Sequence, residues 1–184
     1  MRASRVCVFG GTQSGQFREY TDAAVALGAA LACRGLGLVF GAGGTGMMGA
    51  VCSGTLDAGG EAIGAIPREL AEREGPRSDL SQLIVVESMH ERKARMHHLS
   101  DAFIALPGGF GTLEELFEVL TWVQLGIHAK PIIILNLLGY YDPLVSLLEH
   151  LNGEGFAPAA SDGLLHVASS VDEVLDHLRV LQPA

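Results

Sequence analysis

Short apolar runs rich in β-branched residues alternate with helical stretches along almost the whole chain, and this alternation constrains the fold most strongly. The run Ile132–Leu135 is continuously apolar, as in a strand that is buried on both faces. Strands that alternate with helices form a parallel sheet covered by helices. The sequence therefore predicts an α/β fold, a Rossmann-like doubly wound and mainly parallel sheet with helices on both faces. The expected strands are 5–9, 37–40, 61–66, 83–86, 102–106, 131–135 and 164–168, and the expected helices are 18–34, 47–58, 88–100, 112–127, 141–152 and 171–181.

The length of 184 residues fits one domain, and we expect a single Rossmann-like nucleotide-binding domain over residues 1–184. The chain contains no internal repeat and no linker long enough to divide it. The segment 67–81 is the least patterned stretch, and we expect it to be a mobile loop over the site.

Composition excludes several classes of partner. A formal net charge of −9 cannot supply the broad basic face that nucleic acids require. No apolar run approaches the ~20 residues of a membrane span, and the first ten residues lack a signal peptide, so a cytoplasmic protein is expected. Cys7, Cys33 and Cys52 are odd in number and lack a CxxC spacing, which predicts small core residues rather than a disulfide or a zinc site.

Ligands bind such sheets beyond the carboxyl ends of the strands, and four loops there are candidates: 10–15, 41–49, 67–79 and 107–112. Gly41, Gly43 and Gly46 form a G-x-G-x-x-G pattern. An NAD site is disfavoured, because the following strand ends in Ile66 and Pro67 rather than in the acid that would hold the ribose. Two interpretations of these glycines stay open, namely tight packing of a helix start against the sheet and a direct phosphate contact.

The loop 107–112 reads PGGFGT and passes from a buried strand directly into a helix. Its glycines leave backbone N–H groups uncovered, and the helix start adds about half a positive charge, so the loop is a candidate anion site. Thr112 and Glu115 also have the spacing of a capping box, in which Glu115 would accept a hydrogen bond from the cap N–H. Taken alone, Glu115 is more simply explained as a cap than as a catalyst.

The expected helix 88–100 carries three cations within four positions of an otherwise acidic protein. Arg92 falls on the stripe that should face the core, together with Met89, Met96 and Leu99. A guanidinium on a buried face requires a partner. The remaining polar residues are expected on solvated surface, namely His90, Glu91, Arg95, His97 and His98. Of these, His90 and Glu91 could also serve acid–base chemistry.

The helix that begins at Thr112 is apolar almost all round. One side can meet the sheet, and the other requires a second cover. We therefore expect a homodimer that buries this helix.

These motifs together resemble the LOG family, the cytokinin riboside 5′-monophosphate phosphoribohydrolases that are often labelled lysine decarboxylases. The hallmark P-G-G-x-G-T-x-x-E is Pro107–Glu115 here, and M-H-E-R-K is Met89–Lys93. The glycine-rich motif of the family corresponds to Gly41–Gly49, with Ala42 in place of one glycine. The resemblance covers nearly the whole chain.

The resemblance implies hydrolysis of the N-glycosidic bond of a nucleoside 5′-monophosphate, without a metal or an organic cofactor. It implies that Arg92 and Glu115 are catalytic. Elementary chemistry agrees, since a carboxylate stabilises an oxocarbenium-like ribose and a guanidinium stabilises phosphate or the departing base. The implied substrate contacts are Glu74, Lys93, Gly108, Gly109, Phe110, Gly111, Thr112, Leu113, Glu114 and Thr121.

Two other functions are weighed against this one. A non-catalytic nucleotide or molybdenum-cofactor carrier would keep the PGGFGT loop without needing both Arg92 and Glu115. Lysine decarboxylation is disfavoured, because Lys93 and Lys130 are the only lysines and neither has a convincing pyridoxal-phosphate setting.

Overall fold

The fold was described from a computed structural model, which covers residues 4–157 and 165–179 and every side chain in them except that of Glu74. Within this part of the chain, seven parallel strands form one sheet in the order β4-β3-β2-β1-β5-β6-β7, which confirms the predicted fold class. The strands are β1 (Arg5–Phe9), β2 (Gly37–Phe40), β3 (Ala62–Pro67), β4 (Gln82–Val86), β5 (Ala102–Ala105), β6 (Ile132–Leu135) and β7 (Leu165–Ala168).

Helices cover both faces of the sheet. They are α1 (Arg18–Cys33), α2 (Gly46–Asp57), α3 (Arg68–Glu74), α4 (Met89–Leu99), α5 (Phe110–Gln124), α6 (Asp142–Gly153) and α7 (Val171–His177), with a short 3-10 helix at Leu137–Gly139. The core consists of two clusters, one under α1, α2 and α7 and the other under α4, α5 and α6. Strand β6 shows why its sequence is continuously apolar, since Ile133 packs into the first cluster and Ile132 into the second.

Strand order changes direction between β1 and β5. The chain runs outward from β1 to β4 on one side and from β5 to β7 on the other, so the loops that follow β1 and β5 lead away from a shared crevice. These two loops touch at their starts, where the Gly11 N–H donates to the Pro107 carbonyl at 3.2 Å. The crevice therefore lies beside the PGGFGT loop.

The expected mobile loop at 67–81 is wrong in its first half. Pro67 ends β3, and the next seven residues form α3, whose C-cap is Gly75 with φ of 65°. The sequence RELAERE consists of good helix formers, but its polar composition conceals the short helix from a search for apolar periodicity.

Other boundaries shift by a few residues. Helix α5 begins two residues earlier than expected and ends at Gln124 rather than at 127. The expected start of the last strand at Leu164 and the expected end of the last helix at 181 lie outside the described residues. Cys7 and Cys52 are buried as predicted, whereas Cys33 is exposed at the end of α1. None of the helices in residues 4–157 and 165–179 is long and apolar enough to cross a membrane.

Candidate active site

Two adjoining cavities occupy the crevice at the carboxyl ends of β1 and β5. The larger, of about 400 Å³, is lined by Arg92 from α4, by the first residues of α5 and by Glu115. The other, of about 300 Å³, has a wall of Tyr20, Met47 and Tyr140. Both cavities are lined by the backbone of the loops after β1 and β5. A ligand of nucleotide size can therefore span charged and aromatic surroundings in one continuous space.

Glu115 lies in the larger cavity, and its side chain is only 11% exposed. The expected capping box with Thr112 is wrong, because α5 starts at Phe110 with Gly109 as its N-cap and no side chain caps it. Glu115 thus falls in the second turn, away from the uncovered N–H groups. Burial raises the pKa of its carboxyl to about 7, although the nearby Arg92 charge opposes that rise.

Arg92 lies opposite Glu115, with 3.7 Å between Nη2 and Oε1 and a side chain that is also 11% exposed. This separation is an ion pair but too long for a hydrogen bond. The predicted burial of the Arg92 side chain is confirmed, and the partner that it was expected to need is Glu115. Met89, expected on the same buried stripe, is exposed at the cavity rim, and its sulfur lies 3.7 Å from Nη1.

The start of α4 is fixed by its own capping interactions. The Ser88 hydroxyl accepts a hydrogen bond from the Glu91 N–H at 3.1 Å, and the Glu91 carboxylate accepts one from the Glu87 N–H at 3.0 Å. This arrangement resembles a capping box, and it gives Glu91 a structural role. Arg92 is the next residue, so these caps set the position from which its side chain enters the cavity.

Gly41 provides the space for the Arg92 guanidinium. A Cβ on Gly41 would overlap Nη2 of Arg92. Nearby, a Cβ on Gly43 would lie 2.6 Å from the terminal methyl of Met48, and Gly46 has φ of 59° and packs on the Thr12 backbone. Close packing therefore requires these glycines, but their neighbours are side chains and the loop after β1 rather than the sheet, while a phosphate contact by this loop stays a prediction.

Lys93 lies behind the cavity wall. Its ammonium forms ion pairs with Glu114 and, at 3.0 Å, with Glu118, and its side chain is almost buried. Burial alone would lower the pKa of this ammonium, but the two carboxylates outweigh burial and raise that pKa. Lys93 therefore links α4 to α5 and keeps the Arg92 and Glu115 segments together.

The PGGFGT loop is held from two sides. Tyr140 donates a hydrogen bond from its hydroxyl to the Gly108 carbonyl at 2.5 Å, and a Cβ on Gly11 would lie 3.2 Å from the Gly108 Cα. Gly109, Phe110, Gly111 and Thr112 line the larger cavity, whereas Gly108 lines the smaller one. The first N–H groups of a 15-residue helix, without a side-chain cap, thus border the cavity that holds Arg92.

The structure does not bring every predicted contact into the cavities. Thr121 is exposed, and its hydroxyl donates to the Phe117 carbonyl at 2.7 Å. Leu113 packs against the core cluster under α5. The side chain of Glu74, at the end of α3, lies outside the described residues.

The histidines on α4 behave differently from one another. Exposure of His90, Arg95 and His98 is confirmed. His97 corrects the expectation of a solvated position, since its ring stacks on Phe103 with 5.4 Å between centroids. An edge contact with Trp122 encloses it further. Periodicity failed here because β5, α5 and the 125–131 loop together enclose this side of α4.

The sequence patterns did not predict the aromatic wall of the smaller cavity. Tyr140 follows β6 and the 3-10 helix, and Tyr20 lies in the first turn of α1. The only signal was positional, because loops that follow strands gather at one edge of a parallel sheet. No group of three or more His, Cys, Asp or Glu residues that could hold a metal occurs in the described part of the chain.

Comparisons with known proteins give a consistent result. The family model described as "Possible lysine decarboxylase" matches residues 48–178. A protein of Oryza sativa subsp. japonica named "Probable cytokinin riboside 5′-monophosphate phosphoribohydrolase LOGL9" is 46% identical over 182 residues, 99% of this chain and 80% of that protein. Cytokinin riboside 5′-monophosphate phosphoribohydrolase LOG5 of Arabidopsis thaliana is 44% identical with the same two coverages.

Solved structures share the fold. The molybdenum cofactor binding protein of the phototrophic bacterium Rippkaea orientalis superposes with a TM-score of 0.74, covering 98% of each chain at 24% identity. At that identity the likeness establishes the architecture alone.

Proposed function

This chain belongs to the LOG family, and we propose that it hydrolyses the N-glycosidic bond of a purine nucleoside 5′-monophosphate of the cytokinin type. The products are the free base and ribose 5-phosphate. The observation that carries the proposal is the buried pair of Arg92 and Glu115, 3.7 Å apart, in a cavity that also exposes the start of α5. A non-catalytic nucleotide or cofactor carrier needs the anion site, but such a carrier does not need a carboxylate beside that site.

The chemistry follows from the charges. The C1′–N bond breaks as positive charge develops on the ribose, and the carboxylate of Glu115 stabilises that charge. Water adds its oxygen to C1′, and its proton balances the negative charge that the purine carries away. Arg92 supplies a fixed guanidinium for that departing charge or for the phosphate.

The site residues are part of the same proposal. The phosphate binds the N–H groups of Gly109–Thr112, and Lys93 and Glu114 support the site through their ion pair. Lysine decarboxylation is disfavoured by the surroundings of both lysines. Lys93 pairs with two carboxylates, and Lys130 donates its ammonium to the His97 carbonyl at 2.7 Å, so neither lines either cavity.

We also propose a homodimer. Val119 and Val123, on the apolar helix α5, are buried within the subunit. Leu125 and Ile127 at its end are exposed and supply the apolar surface that a partner subunit covers.

The test is direct incubation of the purified protein with isopentenyladenosine 5′-monophosphate and, separately, with AMP. We expect equimolar release of base and ribose 5-phosphate, resolved by chromatography, and none from the corresponding nucleosides without phosphate. AMP cleavage tests the finer proposal that the enzyme resembles an AMP nucleosidase. Tight binding of nucleotide without base release would instead indicate a carrier.

A further inference from the structure

A small cavity lies between α4, α5 and the strands β1 and β5. Its volume is about 10 Å³, which is room for one water molecule. Its apolar lining is Phe9, Met96, Phe103 and Val119, yet four ionisable residues also border it: Lys93, His97, Glu115 and Glu118. A cavity of this size with several polar groups is suited to an ordered water.

His97 supplies the second observation. Its ring is held by Phe103 and Trp122, and its backbone carbonyl accepts the Lys130 ammonium. Its Nε2 is buried and finds no hydrogen-bond partner among residues 4–157 and 165–179. A buried polar atom without a partner is costly, and native proteins commonly satisfy such atoms with an internal water.

We propose that an ordered water in this cavity connects Nε2 of His97 to the carboxyl of Glu115, which makes His97 a positioning residue for that carboxyl. The inference rests on the proposed function only in taking Glu115 as the acting carboxylate. His97 donates from Nε2 to the water, and the water donates to Glu115. This link orients the carboxylate and stabilises its charged form.

The protonation of His97 agrees with this direction. Burial and the Lys130 charge lower the pKa of the His97 imidazole to about 4, so the ring is neutral at assay pH and can carry its one proton on Nε2. The charged groups that act on Glu115 are Arg92 and Lys93 from α4 and Glu114 and Glu118 from α5, with the Cys7 thiol of β1 nearby. The groups that act on His97 are His98, His128 and Lys130. Replacing His97 by Phe keeps the ring and leaves all of these in place.

The experiment follows the Glu115 carboxyl directly. The pH titration of its ¹³C signal, assigned with Glu115→Gln, is measured by NMR in the wild type, His97→Phe and His97→Gln. We expect His97→Phe to raise the titration midpoint of Glu115 by about one pH unit, which is the scale of one lost hydrogen bond. His97→Gln, which can still donate a hydrogen bond, should bring the midpoint most of the way back to the wild-type value. His98→Phe, an exposed neighbour on the same helix, serves as the control and should leave the midpoint unchanged.

Kinetics and crystallography give independent readouts. With the midpoint raised from about 7 by one unit, kcat at pH 7 falls about fivefold, the loss vanishes near pH 9, and KM is unchanged. A high-resolution crystal structure of the wild type should show a water within hydrogen-bond distance of both Nε2 and Glu115. A dry cavity, or an unchanged midpoint in folded His97→Phe, overturns the inference. Both of these measurements remain decisive even if the protein hydrolyses no nucleotide.

Discussion

Replacing Glu115 by Gln should reduce activity and increase stability at the same time. Gln keeps the size of the side chain and resembles the protonated carboxyl, but it cannot become negative. The folded protein resists ionising Glu115, because burial raises its pKa from 4.5 to about 7. The wild type therefore bears a free-energy cost above pH 7 that the variant lacks.

The sign and size follow from proton linkage. Between pH 4.5 and 7 the folded state binds more protons at Glu115 than the unfolded state, so this group stabilises at low pH and loses its contribution as pH rises. The full shift corresponds to about 3 kcal/mol, and about 2.5 kcal/mol of it is lost between pH 5 and pH 8.5. Relative to wild type, Glu115→Gln should thus gain about 2.5 kcal/mol over that interval, or about 7 °C in Tm for a chain of this size.

Two measurements test this prediction. Thermal unfolding at pH 5 and pH 8.5 gives the difference in stability, and base release from isopentenyladenosine 5′-monophosphate gives turnover. We expect turnover to fall at least ~10²-fold, the scale of losing one preorganised charge. Glu149→Gln, an exposed glutamate on α6, is the control and should change neither quantity. The reasoning is refuted if the Glu115→Gln enzyme is active. It is also refuted if the stability gain of the variant over wild type is smaller at pH 8.5 than at pH 5.

Four further outcomes are expected. Turnover of the wild type should rise through an acid limb near pH 7 as Glu115 ionises, and a limb near pH 4.5 would contradict its buried carboxylate. Arg92→Lys should not restore the activity lost in Arg92→Ala, because an ammonium lacks the planar fork, whereas Arg95→Ala should be nearly neutral; both are read by steady-state kinetics. Gly41→Ala should displace the Arg92 guanidinium and lower turnover at nearly unchanged Tm, while Gly44→Ala, whose Cβ would meet only Arg77 at 3.5 Å, should have little effect. Light scattering should show a dimer that Leu125→Glu dissociates, and a wild-type monomer at micromolar concentration would contradict the proposed interface.

The sequence predicted those parts of the molecule that depend on hydrophobic pattern. The apolar strands, the helices between them and the burial of Arg92 all follow from which positions face the core. It failed where burial comes from a neighbouring helix or loop, as at His97. It also misassigned Glu115, because a capping box depends on the helix start, and a shift of two residues moved that start to Gly109 and Phe110.

Arg92 and Glu115 meet because of the strand order of the sheet, and local sequence does not encode that order. β4 lies at the edge of the sheet, whereas β5 lies beside β1, so α4 must return across β3, β2 and β1 to connect them. This return places the start of α4 over the end of β2, where Gly41 makes room for the guanidinium. Helix α5 starts at the end of β5, on the other side of the same crevice. The pair therefore exists only in the assembled sheet, so an exchange of strand order that preserved every helix and strand would separate its two charges.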